Sequence, residues 1–464
     1  MSREIALLSA TALIDRYKRK RLSPVEATKA ALARIAALNP RFNAFCLVDE
    51  EGALAAARES EARWHKGEPL GLVDGVPCTV KDLVLTRGWP TLRGSKTVAR
   101  DQPWDEDAPA VAALRRHGAV LLGKTTTPEF GWKGVTDSPL TGITRNPWND
   151  ACTPGGSSGG AAVAAALGMG ALHIGTDGGG SIRIPASFSG IFGFKQSFGR
   201  VPAYPPSPFA SLAHLGPMTR TVEDAALMLN VLAEPDLRDW YALPPDGRNW
   251  RAGLRRGVEG LKIAFARTLD GAEVRPEVAG PVGEAARLFQ ELGAEVEEVE
   301  APLHGAAETF TKHWFAGAAA LLRTVPADKH ELIDPGLRRV AAEGERIALL
   351  DYLQAVKQRE ALGLAMNRFH ARWDLLVLPT MPLPAFEAGR DLPARSDGSV
   401  WSDWSPFTYP LNLTRQPAAS VPCGFTPDGL PVGLQIVGPL YRDEMVLRAA
   451  RAFEAARPFR LPSL

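Results

Sequence analysis

Apolar positions follow a helical spacing through the first seventy residues of the chain. Residues 23–26 (Ser-Pro-Val-Glu) have the sequence of a capping box, and Leu32, Ile35 and Leu38 continue the apolar face that begins there. This segment is predicted to be helical scaffold.

The pattern changes to alternating strand-like and helix-like segments after residue 70. The run "VPCTVKDLVLT" predicts a strand, residues 108–117 a helix, and "GAVLLGKT" a second strand. The same order returns in residues 261–266, 276–292 and 294–300. Because a strand, a helix and a strand in succession favour parallel pairing, the predicted fold class is α/β with a largely parallel sheet.

Five further segments have a clear pattern. "AAVAAAL" at residues 161–167 is apolar on every side, which predicts a helix that is buried all round. A helix is predicted to begin near Thr221, and residues 374–380 form a continuous apolar run that predicts a buried strand. Residues 419–438 predict a hairpin, and residues 443–456 a C-terminal helix.

Two regions contain no chemical motif. Residues 304–372 are mainly helical by pattern. Residues 382–410 are predicted to form a long loop that is rich in aromatic side chains, which are Phe386, Trp401, Trp404 and Phe407. Since no low-complexity linker separates the segments, residues 1–464 are predicted to form a single α/β domain with insertions.

Charge and composition favour a small-molecule partner. The chain has 53 Lys and Arg residues against 52 Asp and Glu residues, so that its formal net charge is +1, and neither nucleic acid nor a membrane is expected to bind it. The 4 cysteines and 8 histidines lack metal-binding spacing, and neither a metal nor another cofactor is expected. The N-terminus lacks a signal-peptide pattern, which predicts a cytoplasmic protein. The sequence leaves monomer and homodimer open.

Candidate chemistry is concentrated in two glycine runs, "TPGGSSGG" around Ser157 and "GTDGGGSIRIPA" around Ser181. Glycine lets backbone N–H groups approach a ligand without an intervening Cβ, and such loops bind anions. A phosphate-binding loop would continue with Lys and Ser or Thr, which is not the case here. The runs therefore predict a site for a developing oxyanion, with Ser181 as the nucleophile.

An alternative is that Ser157 is the nucleophile, because residues 155–159 match G-x-S-x-G, the nucleophile elbow of α/β-hydrolases. That elbow follows a buried strand. The preceding "TRNPWNDACTP" is polar and contains two prolines, which disfavours a central strand. Ser181, by contrast, follows residues 171–174, which could form a short strand.

A serine nucleophile also needs a base, and no histidine lies in a supporting motif. A lysine whose pKa is lowered by burial can serve. Lys81 lies within an apolar, strand-like run, but the spacing alone does not favour it over Lys124 or Lys195.

The segments "GVPCTVKD", "TPGGSSGG" and "GTDGGGSIRIPASFSGIFGFKQSFGRV" resemble the signature segments of the amidase signature family of Ser-Ser-Lys hydrolases. "DLLVLPTMPLPA" and "PLNLTRQPAASVPCGFTPDGLPVGLQIVGP" are similar to the C-terminal segments of that family. The resemblance covers most of the chain. Residues 71–201 would form the signature core, and residues 236–372 are the least similar.

The resemblance implies a three-layer α/β/α fold around a mixed, largely parallel, twisted sheet. It implies that Ser181 is the nucleophile, that Ser157 relays the proton from a cis peptide after Gly156, and that Lys81 is the base. The oxyanion hole would consist of the backbone amides of Gly178, Gly179, Gly180 and Ser181.

Other residues of the signature have less direct roles. Asp177 and Arg183 are expected to brace the glycine loop rather than to contact the substrate. Gly178 stands where the family more often has a side chain, and Arg415 stands where glycine is usual. Residues 304–372 and 382–410 are expected to shape the substrate pocket, with four candidate lining residues, which are Arg415, Trp401, Trp404 and Phe407.

The activity implied by the resemblance is hydrolysis of linear amides through an acyl-enzyme on Ser181. Esters and carbamates are expected as further substrates, so that esterase and urethanase activity would accompany amidase activity, and the aromatic loop suggests an apolar or aryl group. One alternative is the glutaminase subunit of a tRNA-dependent amidotransferase. The other is a binding protein of the same fold without catalysis.

Overall fold

The computed structural model describes residues 2–394 and 399–464. Residues 395–398, which belong to the predicted aromatic loop, lie outside the described residues.

Helices within the described residues agree with the predicted segments. The capping box is present, with Ser23 Oγ accepting from the Glu26 amide and the Glu26 side chain accepting from the Ser23 amide. The α-helices are α1 Ser2–Ala6, α2 Ala10–Lys18, α3 Pro24–Phe42, α4 Glu50–Lys66, α5 Pro109–Arg116, α6 Gly159–Ala166, α7 Arg183–Ser189, α8 Val222–Leu232, α9 Pro276–Glu291, α10 Ala306–Leu322, α11 Pro335–Gly344, α12 Leu349–His370, α13 Pro410–Leu413 and α14 Asp443–Ala456.

Eleven of the strands in the described residues form one sheet, in the spatial order β1-β3-β2-β6-β8-β7-β12-β13-β11-β9-β10, and β4 and β5 form a separate ribbon. The strands are β1 Phe45–Val48, β2 Pro77–Lys81, β3 Val120–Thr125, β4 Asp137–Ser138, β5 Gly142–Ile143, β6 Leu172–Asp177, β7 Phe192–Lys195, β8 His214–Thr219, β9 Lys262–Phe265, β10 Glu295–Glu298, β11 Leu375–Pro379, β12 Ala418–Phe425 and β13 Pro431–Val437.

The α/β class and the mixed central sheet are confirmed, but the sheet is less parallel than predicted. Both predicted strand-helix-strand units pair in parallel, β2 with β3 and β9 with β10. The centre of the sheet is antiparallel, because β12 and β13 are joined by the predicted hairpin and β7 reaches β8 without an α-helical crossover. Parallel neighbours are therefore confined to the two flanks.

Helices cover both faces of the sheet, which gives three layers. Strand β11 illustrates why: Leu375 and Val377 pack into the apolar cluster formed with α8, α9 and α14, whereas Leu376 and Leu378 pack into a cluster on the opposite face. Helix α6 is buried on every side, as its alanine-rich sequence predicts. No helix among the described residues is long and apolar enough to cross a membrane.

The sheet brings the signature segments together. Strands β2 and β6 are parallel neighbours, so that their carboxyl ends, at Lys81 and Asp177, lie at the same edge of the sheet. The segment that contains Ser157 lies at the same edge, because the Ser158 N–H donates to the Ser181 carbonyl at 3.1 Å.

Candidate active site

Lys81 is the last residue of β2, and its side chain is fully buried. Its Nζ donates to Ser157 Oγ at 2.6 Å, to Ser158 Oγ at 2.8 Å and to Thr176 Oγ1 at 2.8 Å. No carboxylate of the described residues forms an ion pair with it, and the three acceptors of its hydrogen bonds are hydroxyl groups.

Burial lowers the pKa of Lys81 well below its usual 10.5, and the negative charge of Asp177 only partly opposes that effect. The lower pKa makes the neutral amine easier to reach than in an exposed lysine, and the neutral amine would offer a lone pair to one of the three hydroxyls. Ser158 cannot use that lone pair, because Ser158 Oγ donates its proton to the Thr176 carbonyl at 3.1 Å. Ser157 Oγ and Thr176 Oγ1 make no other hydrogen bond among the described residues, and the contact of the amine with Ser157 is the shorter, 2.6 Å against 2.8 Å.

The two alternative lysines point to other partners. Lys124 Nζ donates to Val84 O at 2.6 Å and to Thr91 Oγ1 at 2.8 Å, and Lys195 Nζ donates to Gln416 O at 2.5 Å. The structure thus brings Lys81, and neither Lys124 nor Lys195, to the serines.

The local backbone distinguishes the two serines. Ser157 follows a cis peptide after Gly156 and lies two residues before α6, with no central strand ahead of it. Ser181, in contrast, lies between β6 and α7. The strand, turn and helix of a nucleophile elbow therefore surround Ser181, although the G-x-S-x-G sequence surrounds Ser157.

Ser181 is 3% exposed and lines the same cavity as Ser157. Its hydroxyl makes no hydrogen bond with another described residue, Ser157 included. Such bonds are often long before a substrate is bound and shorten in the complex.

Asp177 and Arg183 form a fully buried, bidentate ion pair behind the glycine loop, with Nε to Oδ2 and Nη2 to Oδ1 both 2.9 Å. Arg183 uses its remaining N–H groups on Thr408 O, Gln435 Oε1 and Asn412 Oδ1. Burial by itself would raise the pKa of Asp177, but this guanidinium keeps that pKa well below its usual value. These contacts support the predicted bracing role of both residues.

The predicted oxyanion hole needs one correction. The Gly180 N–H donates to Asp177 Oδ1 at 2.7 Å, so this amide is already used and cannot be counted as an oxyanion donor. The amides of Gly178, Gly179 and Ser181 make no hydrogen bond with another described residue. Gly178 and Ser181 also line the cavity. The Gly180 carbonyl accepts from Ile184 N at 2.7 Å, which fixes the same turn to α7.

A cavity of about 140 Å³ lies over the two serines. Its walls are largely apolar and come from the turn after β2, from the segment around residue 130, from the proline-rich segment before β8, and from α10. Its larger lining side chains are Leu83, Arg93, Phe130, Tyr204, Phe209, His214 and Trp314.

The predicted pocket residues are not part of this lining. Trp401 and Trp404 are 2% and 4% exposed and pack into the apolar cluster beneath the cavity, and Phe407 is fully buried in another cluster. Arg415 lies over the Phe198 ring at 4.9 Å and lines a neighbouring cavity instead. A pattern of aromatic residues in a loop does not distinguish a core from a pocket, since both are apolar.

Trp314 is an aromatic wall that the sequence analysis did not name, although it lies within residues 304–372, which were expected to shape the pocket. It stacks on Phe209 with ring centroids 3.7 Å apart, and its Nε1 donates to Trp132 O at 3.1 Å. A Cβ on Gly178 would lie 3.0 Å from the Trp314 ring. In the sequence, the glycine at position 178, where the family more often has a side chain, is consistent with a bulky neighbour such as Trp314.

No group of three His, Cys, Asp or Glu side chains in the described ranges is arranged to hold a metal ion.

Comparisons with known proteins agree with this geometry. The family model described as Amidase matches residues 26–447. The chain is 37% identical over 459 residues to the acylamidase of Rhodococcus erythropolis, with 97% of this chain and 96% of that protein covered. It is 39% identical over 469 residues to one subunit of the glutamyl-tRNA(Gln) amidotransferase of Myxococcus xanthus (strain DK1622), with 94% of each covered. The crystal structure of a bacterial aryl acylamidase of the amidase signature family superposes with a TM-score of 0.90 at 32% identity, over 97% of this chain and 96% of that one.

The variant Arg183→Met tests the bracing pair. It leaves the buried Asp177 carboxylate without its charge partner, and the expected cost is about 3–5 kcal/mol of the free energy of unfolding. Thermal unfolding followed by circular dichroism measures the effect. The matched control is Arg19→Met, whose exposed pair with Asp15 contributes at most about 1 kcal/mol. Equal melting temperatures for the two variants would contradict the bracing role.

Proposed function

The chain belongs to the amidase family and hydrolyses carbon–nitrogen bonds of amides, and from this premise we propose that it does so through an acyl-enzyme on Ser181. The observation that carries the proposal is the 2.6 Å contact between the buried Lys81 amine and the Ser157 hydroxyl, at the cavity that Ser181 also lines.

In the proposed first step, neutral Lys81 accepts the proton of Ser157 while Ser157 accepts the proton of Ser181. Ser181 Oγ attacks the substrate carbonyl, and the oxyanion is held by the free amides of Gly178, Gly179 and Ser181. One such donor contributes roughly 3–4 kcal/mol to lowering the barrier in comparable sites. Gly180 has no part in this step because its amide is bound to Asp177.

The same groups then work in reverse. The proton passes back through Ser157 to the leaving amine, the carbon–nitrogen bond breaks, and the acyl group stays on Ser181 as an ester. Water enters, gives its proton to the relay and attacks this ester, which releases the acid and restores the Ser181 hydroxyl. Because only a carbonyl and a leaving group are required, we propose that esters and carbamates are also cleaved.

The cavity supports a substrate with an apolar or aryl group. Phe130, Phe209 and Trp314 provide flat apolar surfaces near the serines, and the space of about 140 Å³ fits one ring or a short chain. The names of the acylamidase and aryl acylamidase relatives are consistent with this choice.

The alternative function is the glutaminase subunit of an amidotransferase, which the Myxococcus xanthus relative favours by its name. It would use the same three residues on glutamine. The aromatic walls favour the first proposal, since the glutamine side chain would leave this apolar surface uncovered.

Labelling with a fluorophosphonate tests the nucleophile. We expect one covalent adduct per chain, located on Ser181 by peptide mass spectrometry, because only an activated serine reacts. Ser181→Ala should carry no adduct and should lose kcat/KM for a simple anilide by on the order of 10⁴-fold or more.

Ser463→Ala, which removes an exposed hydroxyl near the C-terminus, serves as the matched control and should be labelled like the wild type. An adduct on Ser157, or hydrolysis by Ser181→Ala at the wild-type rate, would show that the assignment is wrong.

The pH profile tests the base. Protonation of Lys81 removes its lone pair, so kcat/KM for an uncharged anilide should fall on the acid side and reach a plateau above a pKa well below 10.5. Lys81→Arg keeps the positive charge at all accessible pH values and should be inactive throughout. If kcat/KM instead rose with a pKa near 10.5, the value of an exposed lysine, the proposal that buried Lys81 is the base would be contradicted.

Purification of the chain alone distinguishes the two functions. We expect a higher kcat/KM for an anilide than for glutamine, measured by release of the aniline and of ammonia respectively. Ammonia release from glutamine without anilide turnover would favour the amidotransferase role instead.

A further inference from the structure

Among the described residues that line the catalytic cavity, one has a permanently charged side chain, Arg93. The other described lining groups of the cavity are apolar, hydroxyl or backbone groups, apart from His214. Burial lowers the pKa of His214 well below 6.5, so that this imidazole is neutral. The cavity therefore carries a single positive charge.

Arg93 lacks a partner for that charge within residues 2–394 and 399–464. Its guanidinium makes neither a hydrogen bond nor an ion pair there, and it lies over no aromatic ring at cation–π distance. Arg183 differs from Arg93 in this respect, because each N–H group of its guanidinium donates to a protein acceptor.

The nearest acid cannot supply the missing partner. Burial lowers the pKa of Arg93, and the negative charge of Asp82 opposes that effect without forming an ion pair. The Asp82 carboxylate instead accepts a hydrogen bond from the Gly94 N–H at 3.4 Å, and Lys124 Nζ lies 3.8 Å from it. Asp82 thus contacts the turn that carries Arg93, and Arg93 lines the cavity.

Arg93 and Phe130 both have a backbone conformation that is unfavourable for residues other than glycine. Arg93 has a φ of 57° and Phe130 a φ of 50°, both in the left-handed region that favours glycine. The two are joined by a hydrogen bond from Phe130 N to Arg93 O at 2.7 Å, and both line the cavity. Residues kept in such conformations concentrate at binding and catalytic sites.

We propose that Arg93 binds a carboxylate of the substrate, so that the preferred substrates are amides that carry a carboxylate on or near their apolar or aryl group. A guanidinium matches the planar geometry of a carboxylate with two parallel N–H groups and retains its charge when partly buried. The proposal rests on the proposed function, because it names the substrate class of the same site.

The test uses two matched pairs of anilides. In the first pair the carboxylate is on the leaving amine, as in 4-acetamidobenzoate against its methyl ester. In the second it is on the acyl group, as in the monoanilide of glutaric acid against its methyl ester. The measured quantity is the ratio of kcat/KM for the carboxylate to kcat/KM for the ester, from initial rates of aniline release. Because esters are proposed substrates as well, the intact methyl ester is quantified in the same samples.

For the wild type we expect this ratio to be at least about tenfold in favour of the carboxylate in one of the pairs. Arg93→Gln should lower it about tenfold or more, and Arg93→Lys, which keeps the charge but loses the fork, should lie between the two. Arg87→Gln is the matched control, because it removes one positive charge from the exposed tip of the same segment and should keep the wild-type ratio.

A wild-type ratio near one in both pairs, or a preference that persists in Arg93→Gln, would overturn the proposal. Neither result contradicts the proposed function. That function is supported if the wild type hydrolyses the neutral methyl ester anilides and Ser181→Ala does not. Loss of all anilide hydrolysis in the wild type would instead overturn the proposed function.

Discussion

The site depends on the burial of one amine. Lys81 lies at the end of β2, where water does not reach it and, among the described residues, only hydroxyl groups accept its hydrogen bonds. An ammonium without a carboxylate partner is unfavourable in such a place, because the loss of hydration is not repaid by Coulomb attraction. Burial thus lowers the pKa of this amine, which is the property that the proposed base needs, and the rest of the site brings hydroxyl groups to it.

Three cations around the site illustrate how surroundings decide the role of a charge. Arg183 is buried with a full set of acceptors, and its charge holds the glycine loop together through Asp177. Lys81 is buried without an ion-pair partner among the described residues, and its pKa is lowered. Arg93 is partly buried, lines the cavity and has no partner for its charge in the described part of the chain, which makes it the group from which we infer a carboxylate in the substrate.

The structure agrees with the sequence prediction for those elements that depend on local patterns. Helices such as α3 and α14 and the strand-helix-strand units appear as predicted, since capping groups and apolar periodicity act over a few residues. The direction of the central strands did not follow, because β7 and β8 pair antiparallel without an α-helical crossover and β12 pairs with β7 from a distant part of the chain. Local pattern contains no information on such neighbours.

The same division applies to the site. By itself the sequence determined the glycine runs, the two serines and a lysine in an apolar strand, because these are properties of residue type and spacing, and with the family resemblance it selected Lys81. Tertiary structure alone decided that the Lys81 amine contacts Ser157 Oγ, that the Gly180 amide is bound to Asp177, and that Trp314 and Arg93 rather than Trp401, Trp404 and Phe407 line the cavity. Hydrogen-bond partners and cavity walls are set by contacts between distant segments, and an aromatic or charged side chain has no pattern that reveals which neighbour it will meet.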